Sequence, residues 1–168
     1  ILNADNLLNN PDFRAAERTF HLLTQVAGRA GRAELPGRVI LQTYSHEHPA
    51  IVHAVAQDFE AFAEAELPYR KGMAYPPFAA LSLYRSEGDT PAEALQPLRA
   101  LRQRLERLPG LRILGPLEAS VPRVKDRFRM QLLVKAAGRA ALGEALRLAP
   151  LAPGGPVTLD RDPLNLGV

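Results

Sequence analysis

The stretch Arg127-Phe128-Arg129-Met130-Gln131-Leu132-Leu133-Val134-Lys135 decides the fold of the second half of this chain, because it alternates between two kinds of residue. Its even-numbered positions are all apolar, and its odd-numbered positions are mostly polar or charged. Successive side chains of a β-strand point to opposite faces of the sheet. The stretch therefore predicts a strand that packs one face on a core and turns the other outward, as in an antiparallel sheet.

The elements around this strand give the order β-α-β-β-α-β, which is typical of a split-βαβ or ferredoxin-like domain. Apolar periodicity and the proline and glycine positions set the limits of each element. The other predicted elements are a strand at 80–85, a helix at 90–108 that begins at Thr90-Pro91, a short strand at 111–114 that ends at Gly115-Pro116, a helix at 137–148 and a strand at 156–160.

The segment Tyr75-Pro76-Pro77-Phe78 marks a predicted domain boundary, since it is incompatible with a continuing helix. This boundary predicts two domains, residues 1–74 and residues 75–168. The first is predicted to contain a helix from Pro11-Asp12 to the glycines at 28 and 31, a buried, parallel strand at Val39 to Tyr44, and helices beyond His48-Pro49 that end near Gly72. The chain as a whole is thus predicted to be α/β.

The composition is that of a globular protein, with 46% hydrophobic and 23% charged residues among 168. No apolar run is long enough to span a bilayer, so a membrane partner is not expected. The net charge of +3 permits a polyanionic partner without requiring one. Cysteine is absent, which excludes disulfides and thiolate metal sites within this chain and fits a reducing cytoplasm. The chain begins at Ile1, and we expect it to be part of a longer protein.

The segment Gln25-Val26-Ala27-Gly28-Arg29-Ala30-Gly31-Arg32 places two arginines three residues apart behind a glutamine. The planar guanidinium fork suits phosphate oxygens, and it can meet the charge that develops as a γ-phosphate leaves. The same residues would also suit a helix end, with glycine in a left-handed cap and arginine near the negative end of the helix dipole. The residues alone leave both interpretations open.

Several segments together resemble one family, the bacterial replication-restart helicases of superfamily 2 known as primosomal protein N′. The segment from Gln25 to Arg32 resembles motif VI in the second motor lobe of that family. The other matching segments are Asp12 to Arg18 and Pro36-Gly37 before Val39 to Thr43 in the motor lobe, and Tyr75 to Phe78, Leu114-Gly115-Pro116 and Asp160 to Pro163 in the C-terminal domain. The resemblance covers essentially the whole chain.

The resemblance implies an ATP-driven DNA helicase that moves 3′ to 5′ on single strands and helps reload the replicative helicase at abandoned forks. It also implies a cytoplasmic, nucleoid-associated protein whose partners are forked and single-stranded DNA, single-strand DNA-binding protein and other primosome proteins. Arg29 and Arg32 would be the motif VI arginines, with Arg32 as the arginine finger. Gln25 and Gly28 would contribute to nucleotide binding.

The sequence departs from a complete motor, because it contains no G-x-x-x-x-G-K-[ST] phosphate loop. An acidic pair at a strand end is also missing ahead of motif VI, and both are needed to hold nucleotide and Mg²⁺. We therefore expect no cofactor and no ATP hydrolysis in this chain alone, with ATP, Mg²⁺ and a structural zinc in the full-length parent. A parent that had lost its ATP site would have the same sequence here.

A basic surface is predicted on the outward side of the strand quoted first. Such a surface can follow phosphates or bind a carboxylate tail, although it is also typical of a solvated sheet face. The resemblance implies a ribosomal S10-like fold and a pocket for the acidic C-terminal tail of single-strand DNA-binding protein at Arg127 and Gln131. The predicted DNA- and partner-binding residues are Arg123, Lys125, Arg127, Arg129, Gln131 and Lys135.

Phe128 and Met130 stand where the family often has tryptophans.

The alternative function is a non-catalytic nucleic-acid or protein adaptor in which the Gly-Arg segment is structural. A zinc site at His46, His48 and His53 is not expected, since the segment is not HExxH, and these histidines are predicted to cap the following helix. The cluster from Tyr69 to Tyr75 is equally suited to single-stranded DNA or to a hinge.

Overall fold

The computed structural model describes residues 4–30 and 38–166. The chain divides into two compact units, residues 1–69 and 70–168. The predicted boundary at residues 74 and 75 lies inside the second unit. Among the described residues, no helix is both long and apolar enough to cross a lipid bilayer.

Helices account for the regular structure of the described part of the first unit. They are α1 (Asp5–Leu8), α2 (Ala15–Ala30), α3 (Pro49–Ala56) and α4 (Phe59–Gly72), the last of which crosses into the second unit. Phe20 of α2 stacks on Phe62 of α4, with ring centroids 4.5 Å apart, at the centre of a small apolar core. His48 caps α3, because its Nδ1 accepts a hydrogen bond from the Ala50 backbone N at 3.1 Å. The predicted capping role of this histidine is confirmed.

The predicted buried strand at Val39 to Tyr44 is wrong. This segment belongs to no strand of the described structure, and the side chains of Ile40 and Tyr44 are 71% and 93% exposed. A strand needs a neighbour that satisfies its backbone groups. Here the Asp5 carboxylate does so instead, accepting hydrogen bonds from the backbone N atoms of Tyr44 and Ser45, both at 3.1 Å.

The second unit has the predicted order β-α-β-β-α-β. Its elements are β1 (Ala80–Gly88), α5 (Pro91–Leu105), β2 (Leu111–Val124), β3 (Arg127–Ala136), α6 (Arg139–Leu148) and β4 (Val157–Arg161). The four strands form one sheet in the order β2-β3-β1-β4, and every neighbouring pair is antiparallel. The chain is therefore a mixed helical and sheet protein, as predicted, while its assignment to a ferredoxin-like or S10-like fold stays a prediction.

One face of this sheet is covered by α5 and α6. The even-numbered residues of β3, such as Leu132 and Val134, pack with Leu98 and Leu105 of α5 and with Leu142 of α6 in one buried cluster. This packing confirms the apolar side predicted for β3. The opposite side, which carries the odd-numbered residues of β1 and β3, is called the outer face below.

The strand predicted to end at Gly115-Pro116 is longer than expected, since β2 continues to Val124. The register between β2 and β3 shifts between Leu114 and Leu117, which is the mark of a β-bulge. Gly115 has φ +95°, a conformation that other residues rarely adopt, so glycine absorbs the irregularity and pairing resumes beyond it. Gly-Pro is a bulge here and not a strand end.

Candidate nucleic-acid and partner interface

Strand β3 lies at the centre of the candidate interface, with β1 and β2 paired on either side. The register places Arg129 opposite Glu87 and Gln131 opposite Arg85. Directly opposed side chains in an antiparallel pair lie within contact distance on the same face. The outer face thus carries two cross-strand pairs, one of an arginine with a carboxylate and one of an arginine with an amide.

Carboxylates of the same unit partly neutralise the predicted basic surface. Arg129 Nε lies 3.3 Å from Glu87 Oε1, and Arg127 Nε lies 3.8 Å from Asp89 Oδ1. Both ion pairs involve a single nitrogen and are long, whereas strong arginine–carboxylate pairs use two parallel hydrogen bonds at shorter distances. These pairs are weak enough for a ligand with better geometry to displace them.

Arg85 also lies on this face, although it was not among the binding residues predicted from the sequence. Its Nη1 donates to Asp160 Oδ2 at 3.4 Å, and its side chain is only 20% exposed. The Nε atoms of Arg85 and Arg129 are both buried without a hydrogen bond within the described residues. An unsatisfied buried donor is costly, so the internal ion pairs leave both arginines incompletely satisfied. The predicted strand at 80–85 contained Arg85, but its position beside Gln131 required the register.

A tight hairpin connects β2 to β3 and presents the other predicted cations. Val124 pairs with Arg127, and the two residues between them, Lys125 and Asp126, both have positive φ, as in a two-residue type I′ turn. Arg123 lies beside the turn, with Nη2 3.2 Å from Asp126 Oδ1, and its side chain remains largely exposed. The tip of the hairpin therefore projects Arg123, Lys125 and Arg127 toward solvent.

Lys135 differs from the rest of the predicted surface because it is buried, at 2% exposure. Its Nζ donates to the Met73 carbonyl at 2.9 Å and lies 3.4 Å from the centroid of the Tyr75 ring. Burial, and then the neighbouring charge of Arg112, lower the pKa of Lys135 to about 8. Lys135 therefore lies outside the exposed stripe that the alternation of β3 predicted.

The candidate nucleotide-binding residues lie near the end of α2. Gln25, Gly28 and Arg29 are exposed, and the helix continues through them to Ala30, so Gly28 is not a left-handed cap. Gln25 and Arg29 are four residues apart and share one side of the helix. Arg32 lies outside the described residues. The phosphate-binding role of this group stays a prediction.

No group of three or more histidine or acidic residues within the described ranges is placed to hold a metal ion. Asp160 and Asp162, which lie in the segment that resembles the family at the end of the chain, accept hydrogen bonds from arginines. Asp160 pairs with Arg85, and Asp162 Oδ2 accepts from Arg139 Nε at 2.8 Å.

Comparison with known proteins identifies the family of this domain. The family model described as primosomal protein N C-terminal domain matches residues 71–164, which include the whole sheet and every candidate residue on it. The chain belongs to this family. The primosomal protein N C-terminal domain is thus the unit that carries the candidate interface.

Similar curated proteins share most of this chain. The protein from Synechocystis is 44% identical over 80% of the chain, that of Bacillus subtilis is 42% identical over 80%, and that of Chlamydia pneumoniae is 38% identical over 98%. Each is named replication restart protein PriA. The chain spans only 16%, 17% and 23% of these three relatives, respectively.

Proposed function

We propose that this chain is the C-terminal part of a replication-restart DNA helicase, and that its second unit binds DNA and a protein partner during primosome assembly. The similarity to proteins named replication restart protein PriA, over 80% to 98% of the chain, carries this proposal. The full-length protein would be an ATP-dependent 3′–5′ helicase of the cytoplasm, associated with the nucleoid. Its binding domain would have the ferredoxin-like, S10-like fold.

The motor role rests on the exposed end of α2. Arg29, together with Arg32, would approach the phosphates of ATP from the second motor lobe, and Gln25 would position the nucleotide. ATP, Mg²⁺ and a thiolate-bound zinc would be held by other parts of the full-length protein, because this chain has neither a phosphate loop nor a cysteine. In the full-length protein, Arg29→Ala and Arg32→Ala should each abolish most DNA-stimulated ATP hydrolysis while leaving DNA binding intact. Full ATPase activity in both variants would remove the phosphate-contacting role of these arginines, whereas no ATPase activity in the unaltered full-length protein would favour the non-catalytic adaptor.

The DNA-binding role rests on the hairpin tip and the outer face. Phosphate contacts release counterions, so the affinity for forked DNA should fall steeply as salt rises. Arg127→Gln should lower the slope of log affinity against log salt by about 0.7 to 0.9, the value of one phosphate contact. Arg99→Gln, an exposed arginine on α5, is the matched control and should leave the slope unchanged. A slope that is flat, or equal in both variants, would contradict a phosphate-binding surface here.

The partner-binding role rests on Arg127 and Gln131, which the outer face presents beside Arg85 and Arg129. We propose that they bind the acidic C-terminal tail of single-strand DNA-binding protein through charge-assisted hydrogen bonds. Arg127→Ala should weaken binding of such a peptide by about 1–3 kcal/mol. Asp89→Asn, which frees Arg127 from its internal partner, should strengthen it. Peptide affinity that ignores both changes would remove this assignment.

A further inference from the structure

A cavity of about 410 Å³ lies beside Lys135, the buried lysine of β3, and the proposed function gives it no role. It is called the Lys135 cavity here. Its lining includes Phe78, Gly110, Arg112 and Lys135, and the remaining wall is formed largely by alanines and a leucine. Pockets of this size and apolar character, with a few convergent polar groups, are typical of small-ligand sites.

The charge of the Lys135 cavity is uncompensated. Arg112 and Lys135 occupy opposed positions on β2 and β3, and Arg112 forms no ion pair within the described residues. The lining contains no carboxylate among the residues that the structure describes. A carbonyl and an aromatic ring are the groups that Lys135 Nζ contacts, and neither carries a full negative charge. An anion bound here would therefore relieve repulsion between two neighbouring cations.

The apolar part of the cavity indicates what else the anion carries. Phe78 lines the cavity and is 41% exposed, so part of its side chain is open to a ligand. A flat base stacks on such a ring with a favourable free energy that hardly depends on which base it is. An acidic peptide would use the two cations but would leave the aromatic wall without a matching group.

We propose that the Lys135 cavity binds one nucleotide of single-stranded DNA, with its base against Phe78 and its phosphate beside Arg112 and Lys135. This site extends the proposed DNA-binding function, on which it rests, to a second location away from the hairpin tip. It would hold a strand at one fixed point, whereas the exposed arginines contact phosphates without fixing a base.

The test uses the fact that the chain has three lysines, Lys71, Lys125 and Lys135. With ¹³C-labelled lysine in the whole chain, each side chain gives its own NMR signal, and the two exposed lysines are internal controls. Thymidine monophosphate and a short oligothymidylate should shift the Lys135 signal and raise its pKa from about 8, because a nearby anion favours the charged form. Thymidine or inorganic phosphate alone should do so at least tenfold less effectively, since each supplies only half of the ligand.

Substitutions provide the second arm. Phe78→Ala should weaken oligothymidylate binding about five- to hundredfold, the usual range for loss of one stacked base. Tyr44→Ala, which removes a tyrosine that is 93% exposed from the first unit, should have no effect. Arg112→Gln should reduce the salt slope by about 0.7, whereas Arg99→Gln should not.

The possible outcomes separate this site from the broader proposal. If oligothymidylate binds but the Lys135 signal stays in place, the cavity is not a nucleotide site, and the hairpin surface alone binds DNA. If an acidic peptide shifts the Lys135 signal and oligothymidylate does not, the cavity is a carboxylate site and the inference is overturned. If no DNA binds at all, both the site and the proposed function fail. The NMR measurement on the unaltered chain gives these answers even if Phe78→Ala does not fold.

Discussion

Replacing Lys135 by methionine should remove a specific pH dependence from the stability of the second unit. Lys135 has a folded-state pKa of about 8, lowered first by burial and then by Arg112, against 10.5 in a free side chain. Between those two pH values, the unfolded chain binds more protons than the folded chain. Stability must therefore rise with pH in this range, and the cost of the buried cation is fully present below pH 8.

The size of the effect follows from the two pKa values. The complete shift corresponds to about 3 kcal/mol, and linkage places about 2 kcal/mol of it between about pH 7 and pH 9.5. Methionine has a similar length and flexibility but no ionisable group, so the variant should lack this rise of stability with pH. Loss of the hydrogen bond to the Met73 carbonyl adds an offset of about 1–3 kcal/mol that does not depend on pH.

Urea unfolding of both proteins, followed by circular dichroism across this pH range, measures the difference directly. The upper limit of about pH 9.5 stays below the ordinary pKa of a tyrosine hydroxyl, which is about 10. The informative quantity is the change with pH of the gap between the two unfolding free energies, because groups common to both proteins cancel. A gap that stays constant from neutral pH to the upper limit would refute the burial argument, as would an NMR titration of Lys135 near 10.5.

Three other changes test the fold. The pKa of Asp5 is lowered to about 2, first by a hydrogen bond from the Ser45 side chain. Asp5 therefore contributes stability above about pH 4, and this contribution is lost as the pH falls toward 2. Asp5→Asn should flatten that loss of stability in an acid titration followed by circular dichroism. Gly115→Ala should destabilise the protein by more than about 1 kcal/mol in urea, because φ is +95° and the new methyl group would lie 2.8 Å from the Gln131 carbonyl oxygen. Thr90→Ala should cost about 1 kcal/mol by the same measurement, since it removes the side chain that caps α5.

The second unit could be predicted in outline because its signals are local. Alternation defined β3, Thr90-Pro91 marked the start of α5, and each helix kept an apolar stripe toward one face. The extent of β2 could not be predicted, because Gly115-Pro116 has the composition of a strand end and only the partner strand shows that pairing resumes. The segment at Val39 was misjudged for the related reason that β-propensity does not supply a neighbour.

The candidate interface was less predictable than the fold. The side of β3 that carries its arginines followed from the period of two, but their carboxylate partners come from β1 and the residue after it, about forty residues earlier, and required the register. Lys135 shared that period and was expected outside. It is buried because Met73 and Tyr75 contact it, and Met73 lies 62 residues earlier in the chain. The alternation within β3 gives no sign of such a distant contact.

The internal ion pairs of the outer face have a consequence for selectivity. Glu87, Asp89 and Asp160 act as tethered competitors, present at a high effective concentration beside the arginines that a ligand must reach. A lone carboxylate or phosphate from solution gains little by replacing one of them. A polymer that brings several negative charges at once replaces them together, because its first contact raises the local concentration of the rest. The surface should therefore respond to polyanions in an almost threshold-like way and ignore the small anions that surround it in a cell.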